Sequence, residues 1–297
     1  MDRFESMQIL VNVVEAGSFS AASRKLGVPL ATVSRKVSDL ETHLKTRLLV
    51  RSTRQLALTD AGRAYVASVK RILEDLNATE RTAAGEYTAP RGELVITAPL
   101  AFGRLHVLPV VAEFLKAYPE IDIRLILTDR LVHLLEDQVD LAVRIGTLPD
   151  SSLVAVRVGE TQPMMFASRA YLGARGTPKC TNDLRNHDCI MFDGLGMTNA
   201  WSVRNGKSET AIPIMPRLTV TTAEAAIDAA IAGVGIARVL CYQAKSPQYA
   251  DQLVTVLDQC APPPMPINLV HAGQGLLPLK LRAFIDFAAP RLKQRLV

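Results

Sequence analysis

The sequence has little from which to build a membrane span or a secretion leader. The long alanine-rich stretch from Ala223 is broken by Glu224 and Asp228, and Met1 to Gly17 mixes acids among its apolar residues with no cleavage-type end. Cysteine is sparse: Cys180, Cys189, Cys241 and Cys260 show no Cys-x-x-Cys spacing, which leaves a structural metal or a thioredoxin-like pair without support and points to the reducing cytoplasm. The histidines at 43, 106, 133, 187 and 271 are scattered, with no pair at metal-ligand spacing. No serine sits in a Gly-x-Ser-x-Gly elbow, so no nucleophile is named and no enzyme, metal or cofactor is expected. Gly233 and Gly235 resemble half of a dinucleotide fingerprint, but they follow a helix and lack the strand-turn-helix context; a turn into a strand accounts for them. Aromatic residues make up only 5% of the chain, yet 48% of it is apolar, ample for cores in two or three domains over 297 residues.

What is present begins at the N-terminus. Phe4, Met7, Leu10, Val11 and Val14 recur at three- and four-residue steps and predict a first helix with one apolar face, stopped near Gly17. Ser18 is placed to cap a short second helix, in which Ala21 and Ala22 allow close packing before Leu26 and Gly27 end it. Pro29 suits the start of a third helix with an apolar stripe of Val33, Val37, Leu40 and Leu44. The opposite face carries Leu30, Ala31, Thr32, Ser34, Arg35 and Ser38: small residues for close approach, hydroxyls for phosphates, and an arginine able to take a guanine edge in two hydrogen bonds. An ordinary amphipathic helix with a solvated side is the alternative for this helix taken alone.

Charge separates the two. From Arg24 to Arg63 there are nine Lys or Arg against three acids, an excess of six, while the whole chain carries only +5. Basic character is thus concentrated where phosphates would be neutralised. Arg51, Ser52, Thr53, Arg54 and Gln55 lie between Leu48-Leu49 and Leu56-Leu58, as the tip of a short hairpin that would touch backbone or minor groove. Ser18, Ser20 and Lys36 complete the candidate DNA contacts.

The run from Phe4 to Gly62 resembles the DNA-binding domain of LysR-type transcriptional regulators. The likeness rests on Ala21-Ala22, Val33-Ser34-Arg35, Leu40-Glu41, Leu48, Arg51 and Leu58-Thr59-Asp60-Ala61-Gly62. The Val-Pro at the turn and the Arg-Lys after Ser34 are most similar to a CrgA-like branch. Many members place a glutamine at the position of Leu30 and a serine or proline at that of Ala31; here Leu30 can meet a thymine methyl instead.

Thr59 can cap a helix running to Gly85, in which Tyr65, Val69, Ile72, Leu76, Thr79 and Ala83 alternate four- and three-residue steps. This heptad seam predicts a dimer, although such a stripe can also pack on its own domain. Two recognition helices about a twofold axis would read an interrupted palindrome in double-stranded DNA, as the resemblance also implies. Glu86 to Gly92 reads as a hinge.

Beyond it, Glu93–Ala98 reads as strand, Phe102–Tyr118 as helix, Ile121–Leu127 as strand, Leu131–Gln138 as helix and Leu141–Ile145 as strand, an α/β alternation with a largely parallel sheet. The resemblance implies a winged helix-turn-helix domain (1–58), a linker helix and hinge (59–91), and an effector domain (92–297) of two α/β lobes like a periplasmic solute-binding protein. Lobe one would hold 92–161 and 266–297, and lobe two 162–265, with prolines at both crossovers. Ligands in such a cleft should meet strand C-termini and helix N-termini. The candidates are Pro99, Leu100, Ala101 and Phe102; Thr128; Arg144, Gly146 and Thr147; and Thr221 and Thr222, together taking a small organic acid or similar metabolite. Ordinary capped helix ends are the alternative. Arg144 can pair a ligand carboxylate or bridge Asp140 or Asp129; Phe102 and Phe166 can line a pocket or belong to the core.

The resemblance further implies a dimer or tetramer, with RNA polymerase as a further candidate partner. Two other mechanisms remain. A cysteine-based redox switch would use a low-pKa thiolate, with Cys180 beside Lys179 and Cys189 after Arg185 and His187. From a different class, an α/β enzyme or solute-binding protein would use the same lobes.

Overall fold

The computed structural model describes residues 2–296 apart from 52–55, 84–88, 135, 194–199, 206–207, 247, 250 and 274–276. The chain divides into two compact units, Met1–Ala89 and Pro90–Val297.

The first unit is built on three short helices, a two-stranded hairpin and one long helix. Helix α1 (Arg3–Glu15) starts where Asp2 Oδ1 accepts from the Phe4 and Glu5 amides. Helix α2 (Phe19–Leu26) is capped by Ser18, whose Oγ accepts from Ala21 N at 3.1 Å, and it ends at Gly27 with φ +66°. Helix α3 (Leu30–Leu44) follows Pro29 directly. Strands β1 (Leu49–Arg51) and β2 (Leu56–Leu58) pair antiparallel, and α4 (Asp60–Ala83) closes the unit. Ile9, Leu10, Val13, Ala22, Val33, Val37, Leu40, Leu48, Leu49 and Val66 form one core.

Two faces differ from the sequence reading. Helix α1 does not carry a single stripe: Ile9, Leu10 and Val13 enter the three-helix core, Met7 and Val11 pack on Tyr65, Val69 and Leu73 of α4, and Phe4 stays half exposed. A helix touched on two sides needs two apolar faces, so its periodicity blurs. For the same reason part of the α4 seam is engaged within the chain, with Val69 buried against α1, while Ile72 remains exposed. The side chains of Thr79 and Ala83 lie outside those described.

Polar contacts fix how the hairpin joins the helices. Glu41 Oε1 accepts from the amides of Leu48 and Leu49 at 2.7 and 3.0 Å. Thr59 Oγ1 accepts from Gly62 N at 2.9 Å and donates to the Arg47 carbonyl at 2.8 Å, so one hydroxyl caps α4 and ties it to the strand. At Gly62 a Cβ would stand 2.0 Å from the Leu48 carbonyl oxygen.

In the second unit the order is β3 (Gly92–Ala98), α5 (Leu100–Phe102), a π turn (Gly103–Val107), α6 (Leu108–Ala117), β4 (Ile121–Leu127), β5 (Leu141–Ile145) and β6 (Val154–Thr161). There follow β7 (Pro163–Ser168), α7 (Arg169–Arg175), β8 (Cys189–Phe192), β9 (Ala200–Asn205), β10 (Ser208–Pro213), β11 (Pro216–Val220), α8 (Ala223–Ile231), β12 (Ile236–Leu240), α9 (Cys241–Ala244), β13 (Leu253–Val256), β14 (Met265–His271) and α10 (Leu279–Arg295).

The strands make two five-stranded sheets of one pattern. Lobe one runs β4-β3-β5-β14-β6 and lobe two β11-β8-β12-β7-β13. In each, the first three strands are parallel and the fourth is antiparallel to both of its neighbours. The fourth strand is the one that crosses: β7 enters lobe two straight from β6, and β14 returns to lobe one after β13. Gln162, between β6 and β7, donates from Nε2 to the Pro262 carbonyl at 2.6 Å and accepts from Cys241 N at 2.8 Å, so the two crossovers are bonded to each other.

The described residues of Leu131–Gln138 form turns where the sequence predicts a helix. Asp137 explains the difference: its Oδ2 accepts from His133 N at 2.7 Å, its own amide donates to the His133 carbonyl, and Gln138 then turns to φ +55°. Side-chain capture of the backbone competes with helix propagation over so short a stretch.

Gly62→Ala should destabilise the first unit by about 1–3 kcal/mol, the range for forcing an extra methyl into a packed site. The check is urea denaturation of the full chain: its least stable transition should move to lower urea, and an unmoved curve would mean that the backbone at Leu48 yields without cost.

Candidate nucleic-acid interface and ligand cleft

Helix α3 is oriented by Val33, Val37 and Leu40, none of which has any solvent exposure. That leaves Leu30, Ala31 and Arg35 exposed and Thr32, Ser34 and Ser38 half-buried, on a face with no acid between Leu30 and Ser38. The other candidates divide. Lys36 turns away from this face, its ammonium paired with the Glu5 carboxylate and its side chain only 18% exposed. Ser18 uses its hydroxyl as the α2 cap, while Ser20 is exposed in the first turn of α2. Arg51 ends β1 opposite Leu56, and Ser52, Thr53 and Arg54 lie outside the described residues.

Cations of this unit fall into two groups. Lys70 and Lys25 hold Glu15 at 2.9 and 3.4 Å, and the hydrogen bond from Lys70 keeps the Glu15 carboxyl below the ordinary range. Arg24, Arg35, Lys45 and Arg47 are exposed with no ion-pair partner among the described residues. Uncompensated cations of this kind are what phosphate neutralisation requires.

In the second unit, the candidates lie at the ends of β3, β4, β5 and β11, apart from Phe166 within β7, and the segments after β3 and β4 are joined by a hydrogen bond. Leu100 N donates to Asp129 Oδ1 at 3.1 Å, so the chain's own carboxylate occupies the helix end where an external anion is expected. Burial raises the Asp129 pKa, the Leu100 amide opposes the rise, and Glu224 adds to it through space. Thr128 Oγ1 accepts from Arg130 N at 3.2 Å. Thr222 Oγ1 accepts from Ala225 N at 3.2 Å, capping α8 beside the exposed Thr221.

Arg144 is half-buried and donates to the Val132 carbonyl, and desolvation lowers its pKa. Gly146 takes φ +112° and donates to the Pro266 carbonyl, while Thr147 is exposed. Pro99 caps α5 by its backbone and Ala101 is buried in the helix that follows. Phe166 pairs in register with Ala237 and Thr255 and is buried in the core of lobe two.

Phe102 is fully buried, but it has neighbours that sequence reasoning missed. Its ring lies 4.8 Å from His106 and 5.5 Å from Tyr242, and the latter two rings are 5.4 Å apart. Phe102 and His106 belong to lobe one and Tyr242 to lobe two, so this aromatic cluster joins the lobes. Burial lowers the His106 pKa, with Arg295 adding to the effect, and burial raises that of the Tyr242 hydroxyl, with Asp129 next. A second link is ionic: Arg104 stands 3.7 Å from Glu224, whose two carboxylate oxygens are buried and without a hydrogen-bond partner among the described residues.

Arg104 and His106 sit in the π turn, a form of local irregularity often found at functional sites. Tyr242 follows the C-terminal end of β12, so the strand-end rule applied to Ile236–Leu240 would have found it. Nothing local marks Arg104 and Glu224 as partners, 120 positions apart.

All four cysteines are free. Burial pushes the Cys189 thiol up to about 12, the opposite of an activated thiolate, while Cys180 is exposed. Among the described residues no group of three His, Cys, Asp or Glu is arranged to hold a metal, and no helix is long and apolar enough to cross a membrane.

Residues 4–63 match the model of the bacterial regulatory helix-turn-helix proteins of the lysR family, and residues 88–293 match the LysR substrate binding domain. An HTH-type transcriptional regulator of Xanthomonas campestris pv. campestris is 36% identical over 288 residues, 96% of this chain and 84% of the relative. The HTH-type transcriptional regulator CrgA of Neisseria meningitidis serogroup B is 33% identical over 294 residues, 98% of each. The solved structure of CrgA from Neisseria meningitidis superposes with a TM-score of 0.62 at 31% identity, covering 97% of this chain and 98% of that one. Full-length AphB of Vibrio cholerae gives 0.60 at 27% identity, covering 96% and 98%.

A histidine whose folded pKa is depressed contributes stability that is present above the ordinary imidazole pKa of about 6.5 and is lost as pH falls below it. The second unit should therefore lose stability on acidification below about pH 6.5, and His106→Phe should flatten that loss. Urea midpoints across pH decide it; parallel profiles for the two proteins would remove His106 from the account.

Proposed function

The chain belongs to the LysR family of DNA-binding transcriptional regulators with a substrate-binding domain, and on that premise we propose that it binds an interrupted palindrome as a dimer or tetramer, with a small-molecule effector in the interlobe cleft modulating DNA binding or bending. Members of this family are regulators and not enzymes. The observation that carries the proposal is the exposed face of α3 with its Arg35, together with Arg24, Lys45 and Arg47 of the same unit, all exposed and without an ion-pair partner among the described residues. The first positions a base-reading helix, and the others supply sequence-independent attraction.

Dimerisation through α4 is supported by Ile72, which stays exposed on a helix whose other apolar side is already covered by α1. The cytoplasm is the compartment such a regulator requires. RNA polymerase is a partner of the assembled complex in this reading.

An organic acid in the cleft would compete with the chain's own groups. It would take Arg104 from Glu224, or displace Asp129 from the Leu100 amide, and either exchange would loosen a contact on which the lobes or the helix end now rest. Lobe geometry is thereby linked to ligand, and subunit geometry to both.

A salt-controlled selection from random duplexes tests the DNA part. The intact protein should enrich an interrupted palindrome; Arg35→Ala should relax preference at a guanine by about 1–3 kcal/mol, and Arg51→Ala should weaken all sequences alike and lower the salt slope by about one. Absence of any enriched sequence at every salt would sink the specific-regulator reading. For the effector, thermal shifts of the full chain with a panel of carboxylic acids should show a hit that Arg104→Ala removes; a folded protein with no hit overturns the small-acid assignment.

A further inference from the structure

We propose that Leu30 is a specificity-determining residue that reads a thymine by its C5-methyl group, one per half-site. The inference deepens the DNA-binding reading and rests on it.

Leu30 is the first residue of α3 and is 47% exposed, a large apolar side chain at the N-terminal end of the helix that the fold presents outward. On the same face Ala31 and Ser34 are small, and Arg35 is exposed. Pro29 before it has no backbone N–H and no side chain caps the helix, so no side chain of the preceding turn is tied across the start of α3. A scattered exposed leucine means little by itself. Here the rest of the unit selects the partner: Arg24, Arg35, Lys45 and Arg47, exposed and without an ion-pair partner among the described residues, fit a polyanion, and the N-terminal residues of a groove-bound helix are the ones that reach base edges.

Among groups on major-groove edges, the thymine C5-methyl is the apolar one. Leu30 can make no hydrogen bond, so its discrimination comes from burying that methyl. A cytosine at the same place would offer an amino donor to a side chain with no acceptor, at the cost of desolvation.

The test uses the duplex that the full-length protein selects from a random library. Each thymine of the half-site is replaced in turn by deoxyuridine, which lacks only the methyl, and binding is measured for the intact protein, Leu30→Ala and Leu30→Gln at fixed salt. One position should weaken the intact protein about fourfold per half-site, the effect of exposing one methyl-sized group. Leu30→Ala should be indifferent to deoxyuridine at that position, and selection with Leu30→Gln should change the preferred base there and nowhere else. Equal deoxyuridine sensitivity in the intact protein and Leu30→Ala at every position would overturn the assignment while leaving the regulator reading intact. If the intact protein selects no sequence at all, the underlying reading fails and this one with it.

Discussion

The rotation of α3 about its own axis decides what the first unit can do, and three side chains fix it. Val33, Val37 and Leu40 have no solvent exposure. Burial of an aliphatic side chain of this size contributes about 1.5–3 kcal/mol, so turning α3 far enough to expose all three would cost roughly 5 kcal/mol or more. That is on the scale of the whole stability of a small domain. The outward set of Leu30, Ala31, Ser34, Arg35 and Ser38 is therefore held in place by residues that would never touch DNA. Surrounding contacts serve the same end: Lys36 is pinned to Glu5 on α1, and Glu41 holds the start of β1, so the hairpin leaves α3 from a fixed point.

The second unit depends on a constraint of topology. Each lobe has a strand that arrives from the other lobe, β7 in one and β14 in the other, and each occupies the same fourth place in its sheet. Lobe two is one continuous stretch of chain, whereas the sheet of lobe one is completed only by β14, after lobe two has been traversed. The hydrogen bond from Gln162 to the Pro262 carbonyl joins the two crossing segments, the only covalent connections between the lobes. Two further contacts hold the lobes together: the cluster of Phe102 and His106 with Tyr242, next to the Cys241 that bonds Gln162, and the ion pair of Arg104 with Glu224.

Much of this was legible in the sequence because it is local. The stripe of Val33, Val37 and Leu40, the caps at Ser18 and Thr59, and the strand-helix alternation after Gly92 all follow from periodicity and turn chemistry within a few residues. The differences from the sequence reading have two causes, packing from a second side and side-chain capture of the backbone. Helix α1 is covered from two sides, which no single stripe reveals, and Val69 faces α1 of its own chain rather than a partner. Leu131–Gln138 has helical composition, but Asp137 captures the His133 amide and ends the matter in one turn. In the second unit, the strand-end rule pointed to Leu100, Thr128 and Thr222 and, carried on to β12, would have reached Tyr242, whereas Arg104 and Glu224 pair across 120 positions and carry no local mark.

Those partners also change what a cleft of this kind asks of a ligand. Two helix starts that would attract an anion are already served, Leu100 N by Asp129 and Ala225 N by Thr222, so an acid gains only the difference between its own contacts and those it removes. Glu224 shifts that difference. Its carboxylate is buried with no hydrogen bond among the described residues, and Arg104 at 3.7 Å gives it charge compensation only. A ligand that drew Arg104 away would leave Glu224 worse off unless the lobes opened and let water reach it. On the proposed reading, binding an acid and opening the cleft would therefore be favoured together, whereas a ligand that also donated a hydrogen bond to Glu224 would favour closure. The proposed site would then be driven in opposite directions by ligands that differ in one donor, and differential affinity for the two lobe arrangements is the condition that coupling to DNA would have to meet.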